Sequence, residues 1–266
     1  MNSPAALRAT SRFLGTFAPA FAASVARRHL LRPSLPRSSR PADREAAADA
    51  VPVTFRFGLA GLRWGEEGPP VLLLHGWGGR PAQFHAIARA LAGRGYQAIA
   101  LEGPAHGRTR FGHAHPASFA EALHEAAAEL RGVHAVVGHS MGAGAAVLAV
   151  GEGLSAGRVV AIAGAARMTD VLGRFASAFA LPKAAGERFV RGVERVVGRP
   201  ANELDVARMA GRITLPGLIV HDLADRQVPF ADAQRIARAW PGARLLITDG
   251  LGHNRILADA AVVSEV

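Results

Sequence analysis

One pentapeptide constrains this chain more than any other feature: Gly138-His139-Ser140-Met141-Gly142. It lies between an apolar run, residues 133–137, and a segment of small residues, 143–150. A strand that turns sharply into a helix exposes the side chain at the turn, and a glycine on either side avoids a steric clash there. Because such a string also occurs in ordinary glycine-rich turns, its meaning depends on the rest of the chain.

A serine hydroxyl is a weak nucleophile unless a base takes its proton and an acid orients that base. Both kinds of residue follow Ser140 in the sequence. An apolar run, residues 218–221, precedes Asp222 and Asp225, and a second run, residues 244–248, precedes His253. Since open α/β sheets place their sites beyond the carboxyl ends of parallel strands, we expect these side chains at one edge of a sheet.

Two backbone N–H groups are candidates for binding a developing oxyanion. Residues 71–74 are typical of a buried strand and are followed by His75-Gly76-Trp77-Gly78-Gly79. One donor would be the N–H of Trp77 and the other the N–H of Met141, next after the serine. Each such donor stabilises a transition state by about 3 kcal/mol.

Taken together, these motifs resemble the α/β-hydrolase superfamily of serine hydrolases over roughly residues 51–266. The residues that carry the resemblance are His75-Gly76-Trp77-Gly78-Gly79, Pro104-Ala105-His106-Gly107, Gly138-His139-Ser140-Met141-Gly142, Asp225-Arg226-Gln227-Val228-Pro229 and Gly252-His253. The resemblance implies Ser140 as nucleophile, Asp225 as acid and His253 as base, and it leaves Asp222 as a loop-capping residue. Glu102 departs from the aspartate usual in the family, at a position without a catalytic role there.

Strands and helices alternate through most of the chain, which predicts a mainly parallel central sheet with helices on both faces. Residues 51–57 and 59–64 are expected to pair as an edge hairpin, and residues 230–240 and 254–265 to form helices. We expect an α/β-hydrolase domain over residues 46–266, with a small helical cap at about 165–214. A long crossover helix with an irregular extension is the alternative for that segment.

The net charge of +10 comes mostly from the beginning of the chain. Residues 1–40 hold seven arginines and no acid, so the remaining 226 residues carry only +3. Positive charge concentrated in one terminal segment does not form a basic binding face on the domain. Since the sequence also has no nucleic-acid-binding pattern, we expect no nucleic-acid partner. The chain has no cysteine, which excludes disulfides and thiolate chemistry, and we expect neither a metal nor a cofactor.

Residues 1–45 are expected to form a basic helical segment and a linker, the latter over residues 32–40. Phe13, Phe17, Phe21 and Val25 recur every four residues and would share one helical face. Residues 13–26 are uncharged but too few to span a bilayer. We interpret them as an amphipathic helix that docks on the domain or makes weak contact with a membrane surface; a signal cleaved near Ala22 or Ala26 is the alternative. A cytoplasmic location is expected, with export or membrane association through residues 1–30 as the alternative.

The function implied by the resemblance is cleavage of a carboxylic ester in a small acyl substrate through an acyl-enzyme on Ser140. Thioesterase, amidase and acyltransferase activities use the same three residues and stay open, because one scaffold hosts many chemistries. A non-catalytic protein that binds a ligand on this scaffold is a further alternative. The oligomeric state is left open by the sequence.

Overall fold

The computed structural model describes residues 12–33 and 41–266, which fall into two compact units. The larger unit holds residues 41–166 and 206–266, and the smaller holds residues 12–33 and 167–205. The expected linker lies mostly among residues 34–40, outside the described residues, as does Arg8 of the basic segment.

An eight-stranded sheet forms the larger unit. The strands are β1 (Val51–Thr54), β2 (Ala60–Trp64), β3 (Pro70–Leu74), β4 (Gln97–Leu101), β5 (Val133–His139), β6 (Ala156–Ile162), β7 (Gly217–Asp222) and β8 (Ala243–Thr248). Their order across the sheet is β1-β2-β4-β3-β5-β6-β7-β8. Strand β2 pairs antiparallel with both β1 and β4, and all other neighbours pair in parallel. The mainly parallel sheet and its edge hairpin are therefore confirmed.

Helices connect these strands and build the smaller unit. They are α1 (residues 12–17), α2 (Pro19–Leu31), α3 (Pro41–Ala46), α4 (His85–Gly93), α5 (Pro116–Glu129), α6 (Met141–Gly151), α7 (Met168–Ala178), α8 (Lys183–Val197), α9 (Val206–Ala210), α10 (Phe230–Ala239), α11 (Gly252–Arg255) and α12 (Ala260–Glu265). Short 3-10 turns occur at Arg56–Gly58, Pro81–Phe84 and Ala201–Glu203. Among the described residues, no helix is both long enough and apolar enough to cross a bilayer.

The core of the larger unit lies around the central strands. Leu72, Leu73 and Leu74 of β3 are all fully buried, as expected for a parallel strand covered on both faces. Helix α6 is apolar on every side, and its residues 142–149 are buried. A helix that is apolar all round belongs in an interior. The turn at Ser140 therefore lies between two buried elements, β5 and α6.

The expectation of one helix over residues 254–265 is wrong, because the chain there forms two helices, α11 and α12. Asp259 is extended, with φ −69° and ψ 129°, and its side chain accepts hydrogen bonds from the N–H groups of Ala261 and Val262. An aspartate that caps a helix in this way starts a new element instead of continuing the previous one.

In the smaller unit, α2 packs on α8 through a face of small residues. Ala23 and Ala26 are buried in a cluster with Phe189 and Val193 of α8. Helix α1 ends before Ala18, whose φ of −136° and ψ of 62° are not helical, and Pro19 begins α2. The segment expected to form a helical cap contributes α7 and α8 to this unit.

Candidate active site

Ser140 lies at the turn between β5 and α6, in a backbone conformation that residues other than glycine seldom adopt. Its φ is 56° and its ψ is −118°. Strain of this kind costs about 1–3 kcal/mol and persists only where the surroundings enforce it. The glycines on either side explain how the turn closes. A Cβ on Gly138 would lie 2.2 Å from the carbonyl oxygen of Gly142, and a Cβ on Gly142 would lie 2.1 Å from that of Leu74.

The strand ends bring the other candidate residues to the same edge of the sheet. Leu74 is level with Gly138 in the register of β3 and β5, and Asp222 is level with Thr248 in that of β7 and β8. Ser140 follows β5, Asp225 follows β7 and His253 follows β8. All three thus come after the carboxyl ends of parallel strands.

Asp225 and His253 are in direct contact. The Nδ1–H of His253 donates to Oδ2 of Asp225 over 2.7 Å. The other carboxylate oxygen accepts from the backbone N–H groups of Gln227, at 2.8 Å, and Val228, at 3.0 Å. Burial opposes ionisation of Asp225, but these hydrogen bonds outweigh it and hold the pKa of the carboxyl below its ordinary value. Asp225 is therefore an ionised acceptor that fixes the orientation of the imidazole.

Asp222 is also a buried carboxylate, but its partners are different. It accepts from Thr248 Oγ1 at 2.7 Å and from the N–H groups of Ala224, Leu251 and Gly252 at 2.9, 3.0 and 2.9 Å. Burial opposes ionisation here too, and the four hydrogen bonds together lower the pKa of the carboxyl. Asp222 thus fixes the loop that leads into His253, and it acts on that residue only through the backbone.

His139 links the serine turn to the same loop. Its Nε2–H donates to the backbone oxygen of His253 over 2.8 Å, and the two ring centroids are 4.8 Å apart. Burial, followed by the nearness of His253, lowers the pKa of His139 to about 4. A neutral histidine directly before Ser140 therefore holds the backbone of the candidate base in place.

The loop after β3 passes against Ser140. A Cβ on Gly76 would lie 2.6 Å from Cβ of Ser140 and 3.0 Å from its Oγ, so any larger residue would collide with the serine. The N–H of Met141 belongs to the first turn of α6, where N–H groups have no partner within the helix. Both segments that carry the candidate oxyanion donors therefore border the serine.

Two buried histidines brace this loop. His75 donates from Nδ1 to the oxygen of Gly76 over 2.8 Å and accepts at Nε2 from the N–H of Gly103 over 3.1 Å. His106 donates from Nδ1 to the oxygen of Pro104 over 2.8 Å and accepts at Nε2 from the N–H of Gly78 over 2.9 Å. Burial, with His106 nearby, lowers the pKa of His75 to about 3.

The contact of His75 also sets the direction of a neighbouring peptide. The oxygen of Gly76 accepts from His75 and from the N–H of Gly79, at 3.0 Å. Because a trans peptide is planar, the N–H of Trp77 in the same unit points the opposite way, away from His75. The sequence placed His75 and His106 only in motifs; each stands directly before a glycine, and His75 also follows an apolar run.

A fourth buried histidine, His221, went unnoticed in the sequence. Its Nε2–H donates to the oxygen of Val228 over 2.9 Å and lies 3.5 Å from Oδ2 of Asp225. The side chain is fully buried at the end of β7, directly beneath the turn that carries the carboxylate. Its place four residues before Asp225, at the end of an apolar run, was the available clue.

Two of the buried histidines, His75 and His139, make the stability of the fold depend on pH. The pKa of His139 falls from 6.5 to about 4 in the folded chain, and that of His75 to about 3. Below pH 6.5 the unfolded chain therefore binds protons that the folded chain excludes, so stability decreases as the pH falls toward 4. Each histidine contributes up to about 1.4 kcal/mol per pH unit.

Urea unfolding at pH 7.0 and pH 4.5, with His139→Gln as the comparison, measures this dependence. The glutamine side chain can still donate to the oxygen of His253 but cannot be protonated. We expect the variant to lose less stability than the wild type on acidification, and an identical loss in both proteins would contradict the assignment.

Several solved structures have a fold similar to that of this chain. An esterase from Pyrococcus furiosus is 21% identical, with 89% of this chain and 94% of that chain covered and a TM-score of 0.63. A bacterial membrane phospholipase A is 17% identical, with 95% and 91% covered and a TM-score of 0.62. The thioesterase domain of the curacin biosynthetic pathway is 17% identical, with 81% and 98% covered and a TM-score of 0.57.

At these identities the likeness concerns the fold alone. A search by sequence among curated proteins found no match. The profile of the alpha/beta hydrolase family matches residues 71–266, which is most of the chain. The chain therefore belongs to the α/β-hydrolase family.

Proposed function

We propose that this chain is a serine hydrolase that cleaves a carboxylic ester through an acyl-enzyme on Ser140. The observation that supports it most is the 2.7 Å hydrogen bond between His253 and Asp225. A carboxylate that fixes one nitrogen of an imidazole leaves the other nitrogen available as a base. The strained turn at Ser140, tied to His253 through His139, supplies the matching nucleophile.

The proposed reaction begins when the substrate carbonyl binds between the N–H groups of Trp77 and Met141. Nε2 of His253 takes the hydroxyl proton as Ser140 Oγ attacks the carbonyl carbon, and Asp225 stabilises the imidazolium that forms. The imidazolium then gives its proton to the departing alkoxide, leaving an ester on Ser140. A water molecule, deprotonated by the same histidine, cleaves that ester and releases the acid.

An ester is easier for this site to cleave than an amide, because an alcohol leaves more readily than an amine. Thioesterase, amidase and acyltransferase reactions would use the same residues and differ in the group that accepts or departs. The structural neighbours include an esterase, a phospholipase and a thioesterase, so related folds serve several acyl chemistries. A non-catalytic ligand-binding role would need no contact between Asp225 and His253, and we therefore place it behind catalysis.

Labelling with a fluorophosphonate probe separates catalysis from binding. We expect the wild type to be labelled once, on the peptide that contains Ser140, because only an activated serine attacks the probe at a useful rate. Ser140→Ala should abolish labelling and lower the turnover of nitrophenyl esters by about 10⁶ if the three residues act as a unit. Ser177→Ala, at an exposed serine of α7, is the matched control and should behave as the wild type.

Failure to label folded wild-type protein would favour the ligand-binding alternative and overturn the proposal. A labelled protein that hydrolyses thioesters but no nitrophenyl ester would keep Ser140 as nucleophile and correct the substrate. Nitrophenyl esters and thioesters of increasing acyl length, assayed side by side, distinguish these outcomes.

Asp225→Asn and Asp222→Asn form a pair that separates orientation of the base from support of its loop. Asp225→Asn should lower kcat by about 10⁴, because the amide can favour the wrong tautomer of His253. Asp222→Asn replaces an acceptor of four hydrogen bonds. It should lower the free energy of unfolding by about 1–3 kcal/mol.

Kinetics and urea unfolding of both variants provide the readout. We expect the larger loss of kcat in Asp225→Asn and the larger loss of stability in Asp222→Asn. If Asp222→Asn instead abolished turnover while Asp225→Asn retained it, the acid would be Asp222.

A further inference from the structure

Four large apolar side chains of the smaller unit are turned to solvent. Phe13, Phe17, Phe21 and Val25, which we call the aromatic stripe, are 63%, 74%, 60% and 48% exposed. Phe13 and Phe17 lie one turn apart in α1 with ring centroids 4.7 Å apart, and Phe21 and Val25 lie one turn apart in α2. Single exposed apolar residues are ordinary on protein surfaces, whereas such a cluster is typical of an interaction site.

The aromatic stripe contributes nothing to the core of its own unit. Helix α2 is held through other residues, since Ala23, Ala26 and Leu31 are buried in a cluster with side chains of α8. An amphipathic helix normally buries its large apolar side chains. In α2 most of the buried residues are alanines, while Phe21 and Val25 are exposed, so the stripe is available to contact something outside the chain.

The charges beside the stripe indicate what that contact is. Arg28 stands three residues after Val25 and seven after Phe21, which places it on the same face of α2, and Arg32 directly follows the last residue of that helix. Arg12, directly before Phe13, is exposed, as are Arg28 and Arg32. Residues 1–40 contain no Asp or Glu, so every charged side chain on the two helices that carry the stripe is positive.

We infer that the aromatic stripe and its flanking arginines form a docking surface for an anionic lipid bilayer, with α1 and α2 lying in the interface. Apolar side chains that enter the headgroup boundary and arginines that meet acidic headgroups are the two contributions that interfacial helices combine. A second copy of the chain is a poorer occupant, because a symmetric contact between two stripes would bring arginines toward arginines.

Binding to lipid vesicles tests this inference without reference to any enzymatic activity, so its outcome is separate from that of the proposed function. The full chain is floated with vesicles of phosphatidylcholine and phosphatidylglycerol, and with vesicles of phosphatidylcholine alone. We expect strong binding to the anionic vesicles, weaker binding to the neutral ones, and a decrease with added salt, because salt screens the arginine contribution.

Two variants separate the apolar contribution from the charged one. Phe13→Ser/Phe17→Ser/Phe21→Ser should weaken binding to both kinds of vesicle by about tenfold or more. Arg28→Gln/Arg32→Gln should weaken binding by about tenfold on anionic vesicles and leave it unchanged on neutral ones. The matched control is Phe57→Ser/Arg94→Gln, which removes an exposed phenylalanine and an exposed arginine of the larger unit and should bind as the wild type. Circular dichroism melting curves check that each variant is folded.

The absence of cysteine allows a direct measurement of contact. Ser24→Cys, at an exposed position of α2 beside the stripe, and Ser264→Cys, at an exposed position of α12, each carry one environment-sensitive fluorophore. Emission should shift to the blue on vesicle addition for the first site only. The inference would be overturned if the chain did not bind vesicles, or if the phenylalanine variant bound them as well as the wild type. It would also be overturned if light scattering showed that the wild type is a dimer and the phenylalanine variant a monomer.

Discussion

Ser140 occupies a backbone conformation that its neighbours must enforce, and the rest of the site is arranged around that requirement. A residue with φ 56° and ψ −118° stays there only because β5 on one side and the buried helix α6 on the other leave no alternative path. The loop after β3 also packs against the turn, so closely that a Cβ on Gly76 would collide with Ser140. Close packing around the turn therefore explains the glycines of the pentapeptide, independently of any chemistry at Ser140.

The second organising feature is a set of buried polar side chains whose partners are largely backbone groups. His75, His106, His139, His221 and Asp222 each fix a loop next to Ser140, Asp225 or His253. A polar group without a partner in an interior costs several kcal/mol. The same bonds that satisfy these groups therefore also fix the positions of the loops. These hydrogen bonds hold the loops of the candidate site in place, although Nδ1 of His221 is buried without a hydrogen-bond partner.

The sheet could be predicted from the sequence because short apolar runs such as residues 71–74 are typical of buried strands. The order of the motifs along the chain follows the order of the strands they come after. Sequence reasoning missed the break before Asp259, since apolar periodicity continues across a capping residue. It also predicted that Phe13, Phe17, Phe21 and Val25 share one helical face, but the non-helical Ala18 divides them between α1 and α2, and all four are exposed. Periodicity tells which residues lie together, and only packing decides which side is buried. The partner of His106 was equally out of reach, because it lies in a loop 28 residues away in the sequence.

A crystal structure of the chain after reaction with a fluorophosphonate would test the central claim most directly, because the phosphonyl oxygen mimics the oxyanion. We expect phosphorus bonded to Oγ of Ser140, Nε2 of His253 beside it, and the phosphonyl oxygen about 2.7–3.1 Å from the N–H groups of Trp77 and Met141. An adduct on another residue, or a phosphonyl oxygen turned away from both N–H groups, would contradict it.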